Sequence, residues 1–170
     1  MPATHCDRPE LVSSRLRFDR WNRNDFALLY ELHADQRIQR GYPWGPDAWT
    51  VEKVQEKLEA FIFEQEASGF CKWKLSLEDG TFVGRAGWSR WSNEELEIGY
   101  AIKPDFQGRG YALEASRTLI GWANQNRAER LIGFALLSNA ASRRILERSG
   151  MSYDYDEEVH GAVHAFYSVR

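Results

Sequence analysis

The sequence predicts an α/β (α+β) domain organised on one mixed, mostly antiparallel, twisted sheet of about seven strands flanked by about four helices. Segments with apolar residues at every second position, the period of a strand, are interleaved with segments whose apolar residues recur at helical spacing. Three of the strand segments follow one another with only short turns between them, which favours antiparallel pairing. With 170 residues and no internal repeat, the chain fits one domain.

The amino-terminal part is predicted to contain a leader, a strand and two helices. Residues 1–12 carry two prolines and no periodicity, so we expect a flexible leader, with the domain spanning residues 13–170. Residues 16–18 alternate apolar and charged side chains, as in a strand. Asn24 is predicted to cap the first helix, and a segment at 39–49 rich in glycine, proline and aromatic residues forms a loop before the second helix.

The rest of the chain is predicted to alternate strands and helices. The elements are strands at 70–77, 81–88 and 96–102, a central helix, a strand at 130–136, a helix at 139–148, and two closing strands near 151–153 and 161–170. The first three of these strands form an antiparallel meander, since short polar segments typical of turns separate them. Gly150 ends the last helix.

The stretch from residue 95 to residue 123 contains the feature from which a function can be argued. Its strand stops at Pro104, which offers no N–H to a ladder, and Gly108 and Gly110 then lie where a loop enters a helix. A helix start has unpaired N–H groups and a positive dipole end, and glycines let an anion approach the backbone. We therefore expect a phosphate site in the main chain of residues 107–112, although a plain turn is the alternative. Neither a dinucleotide fingerprint nor a P-loop is present.

Composition and charge argue against several other classes of function. The chain has 22 basic and 25 acidic residues, a net charge of −3, which argues against nucleic acid as the primary partner. No apolar run is long enough to span a membrane and no signal peptide is recognised, so we expect a cytoplasmic protein without a membrane partner. Cys6 and Cys71, the two cysteines, fit a reducing compartment. His160 and His164 lack companions at metal-ligand spacing, so no metal is expected.

Several motifs around this stretch resemble those of one known family. They are Gln107-x-x-Gly110-x-Ala112, the preceding Glu97-Ile98-Gly99-Tyr100, and the downstream Asn139-Ala140-Ala141-Ser142 and Leu146-Glu147-Arg148-Ser149-Gly150-Met151. The chain thereby resembles the GNAT superfamily of acetyl-CoA-dependent N-acetyltransferases, and looks closest to the RimJ/RimL-like branch of ribosomal-protein alanine and serine N-terminal acetyltransferases. The pyrophosphate motif of the family is Arg or Gln, two residues, Gly, one residue, then Gly or Ala. This chain matches it at each fixed position.

The resemblance implies a GNAT fold whose sheet is splayed between the fourth and fifth predicted strands, with acetyl-CoA bound there as co-substrate. Main-chain groups of the organising strand would contact the pantetheine arm and the thioester oxygen, and the following loop would hold the diphosphate. Asn139 and Ser142 would add contacts, although helix capping explains Asn139 equally well. The cofactor-binding residues implied in this way are Tyr100, Ala101, Ile102, Gln107, Gly108, Arg109, Gly110, Tyr111, Ala112, Asn139 and Ser142.

The candidate catalytic groups are two carboxylates and one hydroxyl. Glu95 and Glu97 share a strand face, and Glu97, nearer the splay, is favoured as the base that deprotonates the attacking ammonium. Solvated surface carboxylates are the alternative. Many GNAT enzymes carry a tyrosine acid seven positions after the helix-start Asn139, but here that position is Leu146. In the resembling branch a serine three positions after the asparagine can stand in, here Ser142, and an ordinary first-turn serine is the alternative.

The acceptor is expected to be a primary amine, either a protein N-terminus or an amine-bearing small molecule, that attacks the thioester directly in a ternary complex. Tyr42, Trp44 and Trp49 lie where the family places the substrate entrance, so they either wall this pocket or pack their loop onto its own helices. Two other functions stay open: a non-catalytic acyl-CoA-binding or sensing domain, in view of Leu146, and an antibiotic or polyamine acetyltransferase. Dimers are frequent in the resembling branch, so a homodimer is one expected assembly.

Overall fold

The computed structural model describes residues 11–44, 48–126 and 129–169, and within these ranges the chain forms one eight-stranded sheet. The strands are β1 (Leu11–Val12), β2 (Arg17–Asp19), β3 (Lys72–Ser76), β4 (Phe82–Ser92), β5 (Glu95–Ile102), β6 (Arg130–Leu136), β7 (Ser152–Val159) and β8 (Ala162–Ser168). Across the sheet they lie in the order β1-β2-β3-β4-β5-β6-β8-β7. Neighbouring strands are antiparallel except β5 and β6, which are parallel.

Five α-helices connect the strands of the described ranges. They are α1 (Phe26–Ala34), α2 (Gln36–Gln39), α3 (Val51–Ala67), α4 (Tyr111–Gln125) and α5 (Ala140–Arg148). The predicted α/β class with a mixed, mostly antiparallel sheet is confirmed, with one strand and one helix more than the sequence predicted. The additional helix, α2, is a single turn, which is too short for helical periodicity to indicate.

The additional strand, β1, lies in the segment that was assigned to the leader. Leu11 and Val12 pair with Phe18 and Arg17 of β2, so the sheet begins two residues before the predicted domain boundary. A two-residue strand has no alternation that a sequence pattern can show. The remaining leader, residues 1–10, lies outside the described residues.

Two hydrophobic clusters lie on opposite faces of the sheet. The first packs α4 and α5 against the central strands and includes Trp73, Trp88 and Ile98. The second packs α1 and α3 against the other face and includes Leu29 and Leu58. Because successive side chains of a strand point to opposite faces of the sheet, about half of the side chains of the central strands lie in the first cluster, and the others point toward α1 and α3. Several of these others are charged, so the second face has a polar floor.

The start of α1 differs from the prediction. Asn24 lies inside a short 3-10 turn, Arg23–Asp25, and Asn22 caps that turn by accepting the Asn24 N–H at 2.9 Å. Asp25 accepts the N–H of Asn22 at 2.9 Å, which completes a capping box. The prediction that Asn24 caps the helix was wrong because the reciprocal pair satisfies two donors where Asn24 alone would satisfy one.

The sheet opens between β5 and β6. Their parallel register joins only residues 95–97 of β5 to residues 130–132 of β6. Beyond that point β5 continues beside β4 as far as Ile102, while β6 continues beside β8 as far as Leu136. The splay predicted between the fourth and fifth strands is therefore confirmed, at β5 and β6.

Candidate active site

The loop between β5 and α4 has the backbone that the glycine pattern predicts. Pro104–Phe106 forms a 3-10 turn directly after the strand. Gly108 and Gly110 follow with φ of +74° and +82°, a left-handed conformation that favours glycine. Gly110 is the N-cap of α4, which begins at Tyr111.

The first turn of α4 leaves its main-chain donors free. The first N–H with a helical partner is that of Glu114, which donates to the Gly110 carbonyl oxygen at 3.0 Å. For the N–H groups of residues 108–113, the described part of the chain provides no acceptor. A row of free N–H groups at the positive end of a helix dipole can hold an anion.

Gln107, the first residue of the motif, does not add a free N–H to this row. Its main-chain N–H donates to the Pro104 carbonyl oxygen at 3.1 Å, because the 3-10 turn captures it. Its side-chain Nε2 donates to the Ile102 carbonyl oxygen at 2.9 Å. The expectation of free N–H groups over residues 107–112 is therefore corrected to residues 108–113, and Gln107 fixes the end of β5 instead.

Two arginines border the loop. Arg109 donates from Nη2 to the Asp105 carbonyl oxygen at 3.0 Å. Arg15, from the segment before β2, donates from Nη1 to the Arg109 carbonyl oxygen at 2.9 Å and pairs through Nε with Glu114 at 2.6 Å. Sequence reasoning missed Arg15, since no local pattern indicates a contact between residues 94 positions apart. Arg109 places positive charge near the free N–H groups, whereas the charge of Arg15 is offset by the carboxylate of Glu114.

The exposed edge of β5 leads from this loop into the splay. Ala101 pairs with Arg85 in the β4–β5 ladder, and Lys103 N–H donates to a β4 carbonyl at 2.8 Å, so the main-chain groups of these odd-numbered residues face β4. Those of Tyr100 and Ile102 therefore face the opening. The Ile102 carbonyl is occupied by Gln107. Among the described residues, both main-chain groups of Tyr100 and the N–H of Ile102 have no strand partner.

The start of α5 lies across the splay from Tyr100. The Tyr100 phenol oxygen lies 2.8 Å from Ser142 Oγ and 3.1 Å from the Ser142 carbonyl oxygen. Asn139 is the N-cap of α5, and its Oδ1 accepts the Ser142 N–H at 3.1 Å. Burial raises the pKa of Tyr100, so the phenol stays protonated. The structure thus brings Tyr100, Asn139 and Ser142 together, and sequence reasoning missed the side-chain contact of Tyr100.

Leu146 occupies the position where many members of the resembling superfamily carry a tyrosine. It is 1% exposed and belongs to the first hydrophobic cluster. A Cβ placed on Gly133 would lie only 2.7 Å from Leu146 Cδ2, so the two residues already fit closely. At the splay the structure places the hydroxyls of Tyr100 and Ser142 instead.

Glu95 and Glu97 lie on the sheet face that also carries α1 and α3. Glu97 lies 3.5 Å from the ammonium of Lys72, a buried lysine that also donates to the Gly87 carbonyl oxygen at 3.1 Å. Burial lowers the pKa of Lys72. Glu95 lies at the outer end of the strand, where it pairs with Arg130 at 2.7 Å. Of the two carboxylates, Glu97 lies closer to the point where the strands separate.

The three aromatic residues of the expected substrate wall have different surroundings. Trp44 is 44% exposed and stacks on the half-buried Tyr42, with ring centroids 5.2 Å apart. Trp49 is buried and stacks on His33 of α1 at 3.9 Å. Tyr42 and Trp44 therefore stay partly accessible to solvent, whereas Trp49 packs the loop onto α1. Residues 45–47 of this loop lie outside the described residues.

Behind this wall, a buried polar pair joins α1 to β4. His33 is fully buried, and its Nε2 accepts from Arg85 Nε at 2.9 Å. Burial, together with the charges of Arg85 and Lys57, lowers the pKa of His33 to about 2, so the imidazole is neutral. Sequence reasoning missed both residues because neither belongs to a motif. An arginine inside an otherwise apolar strand is the signal that could have found Arg85.

Other kinds of site find no support in the part of the chain that the structure describes. Across these residues, no group of three or more His, Cys, Asp or Glu side chains is placed to hold a metal ion. None of the described helices combines the length and apolar character needed to cross a bilayer. Cys71 is buried in the first cluster.

Comparisons with known sequences point to one family. The family model described as acetyltransferase (GNAT) domain matches residues 15–152. An uncharacterised N-acetyltransferase of Bacillus subtilis, YnaD, is 24% identical over 145 residues, which cover 83% of this chain and 81% of that protein.

Solved structures share the fold. An acetyltransferase from Agrobacterium tumefaciens has a TM-score of 0.82 at 22% identity, covering 98% of this chain and 96% of that one. RimL, a ribosomal L7/L12 α-N-protein acetyltransferase solved in complex with coenzyme A, has a TM-score of 0.78 at 18% identity, covering 92% and 94%. At these identities the likeness is one of fold.

Proposed function

The chain belongs to the GNAT acetyltransferase family, and from that membership we propose that it is an acetyl-CoA-dependent N-acetyltransferase. It transfers the acetyl group to a primary amine, on a protein N-terminus or a small molecule, by direct attack in a ternary complex. We further propose that the protein acts in the cytoplasm and forms a homodimer. Light scattering of the purified protein would test the dimer.

One observation carries the proposal: a row of free main-chain donors leads into an opening of the sheet. The N–H groups of residues 108–113 lie at the positive end of the α4 dipole, where a diphosphate is favoured. The opening offers the main-chain groups of Tyr100 and the N–H of Ile102 to an extended arm. A diphosphate joined to an amide-containing arm that ends in a thioester is the chemistry of acetyl-CoA, and it fits this layout.

The residues beside the opening can perform acyl transfer. Glu97 takes a proton from the acceptor ammonium, directly or through water, so that the neutral amine attacks the thioester carbonyl. A main-chain N–H at the opening stabilises the negative charge on the carbonyl oxygen, an effect commonly worth several kcal/mol. As the C–S bond breaks, the leaving thiolate takes a proton through the linked hydroxyls of Ser142 and Tyr100, and the proton that the new amide nitrogen gives up replaces it, so that neither hydroxyl is left ionised. Glu95 is the second candidate base, although Arg130 occupies its carboxylate.

The diphosphate site is tested by Gly110→Asp, with Gly80→Asp as the matched control. Both glycines have nearly the same φ, +82° and +84°, so the two substitutions introduce similar backbone strain. At Gly110 the new carboxylate would also repel a phosphate charge at about 5 Å by about 3 kcal/mol, at an effective dielectric constant of about 20. It would in addition draw Arg15, whose Nη2 lies 3.4 Å from the new Cβ position, away from a bound phosphate. Calorimetric titration with coenzyme A should therefore show Kd raised about a hundredfold or more for Gly110→Asp only. Unchanged affinity in that variant would refute the assignment.

The burial of Leu146 favours a second candidate function, an acyl-CoA-binding or sensing domain without turnover. The two functions differ in thioester cleavage. With acetyl-CoA and a panel of peptides, polyamines and aminoglycosides, the enzyme releases coenzyme A with at least one amine. Tight coenzyme A binding without release for every amine would favour the sensor.

A further inference from the structure

One buried charge on the sheet face that carries α1 and α3 has no counter-ion among the described residues. Arg85 is 6% exposed in the middle of β4. Its Nε donates to His33 Nε2 at 2.9 Å, its Nη2 donates to Tyr42 Oη at 3.0 Å, and its guanidinium carbon lies 5.6 Å from the ring centroid of Phe61. These partners are a neutral imidazole, a phenol and an apolar ring. They orient the guanidinium without neutralising it.

The described part of the chain supplies no carboxylate to Arg85. No described carboxylate oxygen lies within 4.0 Å of a guanidinium nitrogen of Arg85, and Nη1 donates no hydrogen bond to a described residue. Because Nη1 has no described partner and is not among the fully buried polar atoms that lack one, solvent reaches this atom. Holding a guanidinium out of water without a counter-ion costs several kcal/mol. A ligand that brings a negative charge to Nη1 would offset this cost.

Arg85 lies on the same sheet face as the candidate base. In the β4–β5 ladder Arg85 lies opposite Ala101. Along β5, the partly exposed Gly99 lies two residues from Ala101, and Glu97 lies two residues beyond Gly99. Two residues of a strand span roughly 7 Å. The Lys72 ammonium fills the space over Gly99, since its Nζ lies 2.7 Å from where a Cβ of that residue would stand. An acceptor whose amine lies beside Glu97 therefore passes this ammonium and reaches Arg85 with a group roughly 7 Å or more away.

We propose that Arg85 binds a carboxylate of the acceptor, so that the substrates of this enzyme are amines that also carry a carboxylate. The inference rests on the proposed acetyltransferase function and names its substrate class. A guanidinium with a free N–H edge matches the geometry of a carboxylate, and the resulting bonds are charge-assisted. His33 and Tyr42 hold the Arg85 guanidinium in place before the substrate binds, so little side-chain entropy is lost on binding.

The charges of this face argue against polyamines and aminoglycosides as acceptors. Lys72 and Glu97 offset one another at 3.5 Å. Among the described groups around Arg85 that form no ion pair, this leaves Arg85 and Lys57 as cations against the carboxylate of Glu64. A ligand with several positive charges would meet net repulsion, whereas one amine joined to one carboxylate would place each charge near its opposite.

The test compares three amines of equal length: 6-aminohexanoate, 6-aminohexanamide and 1,6-diaminohexane. We expect kcat/KM with acetyl-CoA to be higher for the acid than for the amide and the diamine by on the order of tenfold or more, mainly through KM. Equal values for acid and amide, or a preference for the diamine, would overturn the proposal.

Variants of β4 locate the effect. Arg85→Gln should bring the ratio of acid to amide close to one, and Arg85→Lys should restore part of it. Arg90→Gln is the matched control, because Arg90 lies on the same strand but is exposed and pairs with Glu129 at 2.9 Å, so the ratio should stay at its wild-type value. A purely structural Arg85 would lower the activity on all three amines together and leave the ratio unchanged, which contradicts the proposal.

A binding measurement separates failure of the subsite from failure of the proposed enzyme. If no amine is acetylated, the same three compounds are titrated calorimetrically into wild type and Arg85→Gln loaded with coenzyme A. Tighter binding of the acid that is lost in the variant supports the subsite even without turnover. Equal affinities for acid and amide overturn it, whether or not the chain is an enzyme.

Discussion

Acidification is expected to destabilise this protein through one buried histidine. His33 is fully enclosed and accepts from Arg85 Nε at 2.9 Å through Nε2. A proton on Nε2 would break this bond and place a second cation against the guanidinium. Burial, with the charges of Arg85 and Lys57, lowers the pKa of His33 to about 2 in the folded state, against about 6.5 in the unfolded chain.

The sign of the effect follows from proton counting. Between these two pKa values the unfolded chain binds one proton more than the folded chain, so the free energy of unfolding increases with pH there. The slope is about 1.4 kcal/mol per pH unit. Stability is therefore retained above about pH 6.5 and lost as the pH falls below it, and at about pH 4.5 the loss due to His33 is about 2.7 kcal/mol.

Urea unfolding followed by tryptophan fluorescence, at pH values from about 4.5 to 8, measures this loss for wild type and His33→Gln. Glutamine can accept from Arg85 through Oε1 but does not titrate, so the stability difference between the two proteins should change by about 2.7 kcal/mol across the range. His160→Asn is the control, because His160 is exposed in the β7–β8 turn, and it should follow wild type. Parallel curves for wild type and His33→Gln would refute the neutral buried state of His33.

Four further substitutions test the packing of the sheet by denaturant unfolding. Lys74→Met should destabilise the fold by about 3 kcal/mol, since it leaves the buried carboxylate of Asp25 without the ammonium at 2.8 Å, and unchanged stability would contradict this. Gly87→Ala should cost about 3 kcal/mol or more, because its Cβ would lie 2.0 Å from a carbonyl oxygen of the neighbouring chain segment. Gly121→Ala in α4 should instead stabilise the fold by about 1 kcal/mol, because no atom lies within 4 Å of the added Cβ. A change in the free energy of unfolding of the same sign for Gly87→Ala and Gly121→Ala would contradict this packing. Leu146→Tyr should destabilise by about 1–3 kcal/mol through overpacking and should not raise thioester turnover; a gain in turnover would show that this position is open.

The parts of the site that the sequence predicts are those with a local physical cause. Alternating apolar residues define β5, Pro104 ends its ladder, and the left-handed φ of Gly108 and Gly110 is what a sharp turn into a helix requires. The splay has no local cause, because it depends on how far β6 follows β5. It was predicted only through the resemblance.

The residues that the sequence does not reveal act across the sheet. Arg15 reaches the loop before α4 over a separation of 94 residues, and Arg85 meets His33 over 52. Both contacts depend on strand order and register, which hydrophobic periodicity leaves undetermined. Gln107 shows the converse limit, since the motif identifies this residue from its spacing to Gly110, while its N–H is taken by a turn that the pattern does not specify.

Register also links the stability of the fold to the chemistry of the site. Alternate residues of β3 and β5, together with Ala86 and Trp88 of β4, enter the apolar cluster under α4. The residues between them, among them Lys72, Arg85 and Glu97, form the polar floor on the other face. A shift of one residue would exchange the two sets and place these charges in the apolar core. Gly84 and Gly87 allow the neighbouring backbone to approach so closely that their Cβ atoms would lie 2.2 and 2.0 Å from carbonyl oxygens. Because a shift by one position would bring a side chain to these contacts, the two glycines fix the register that holds Arg85 and Glu97 on one face.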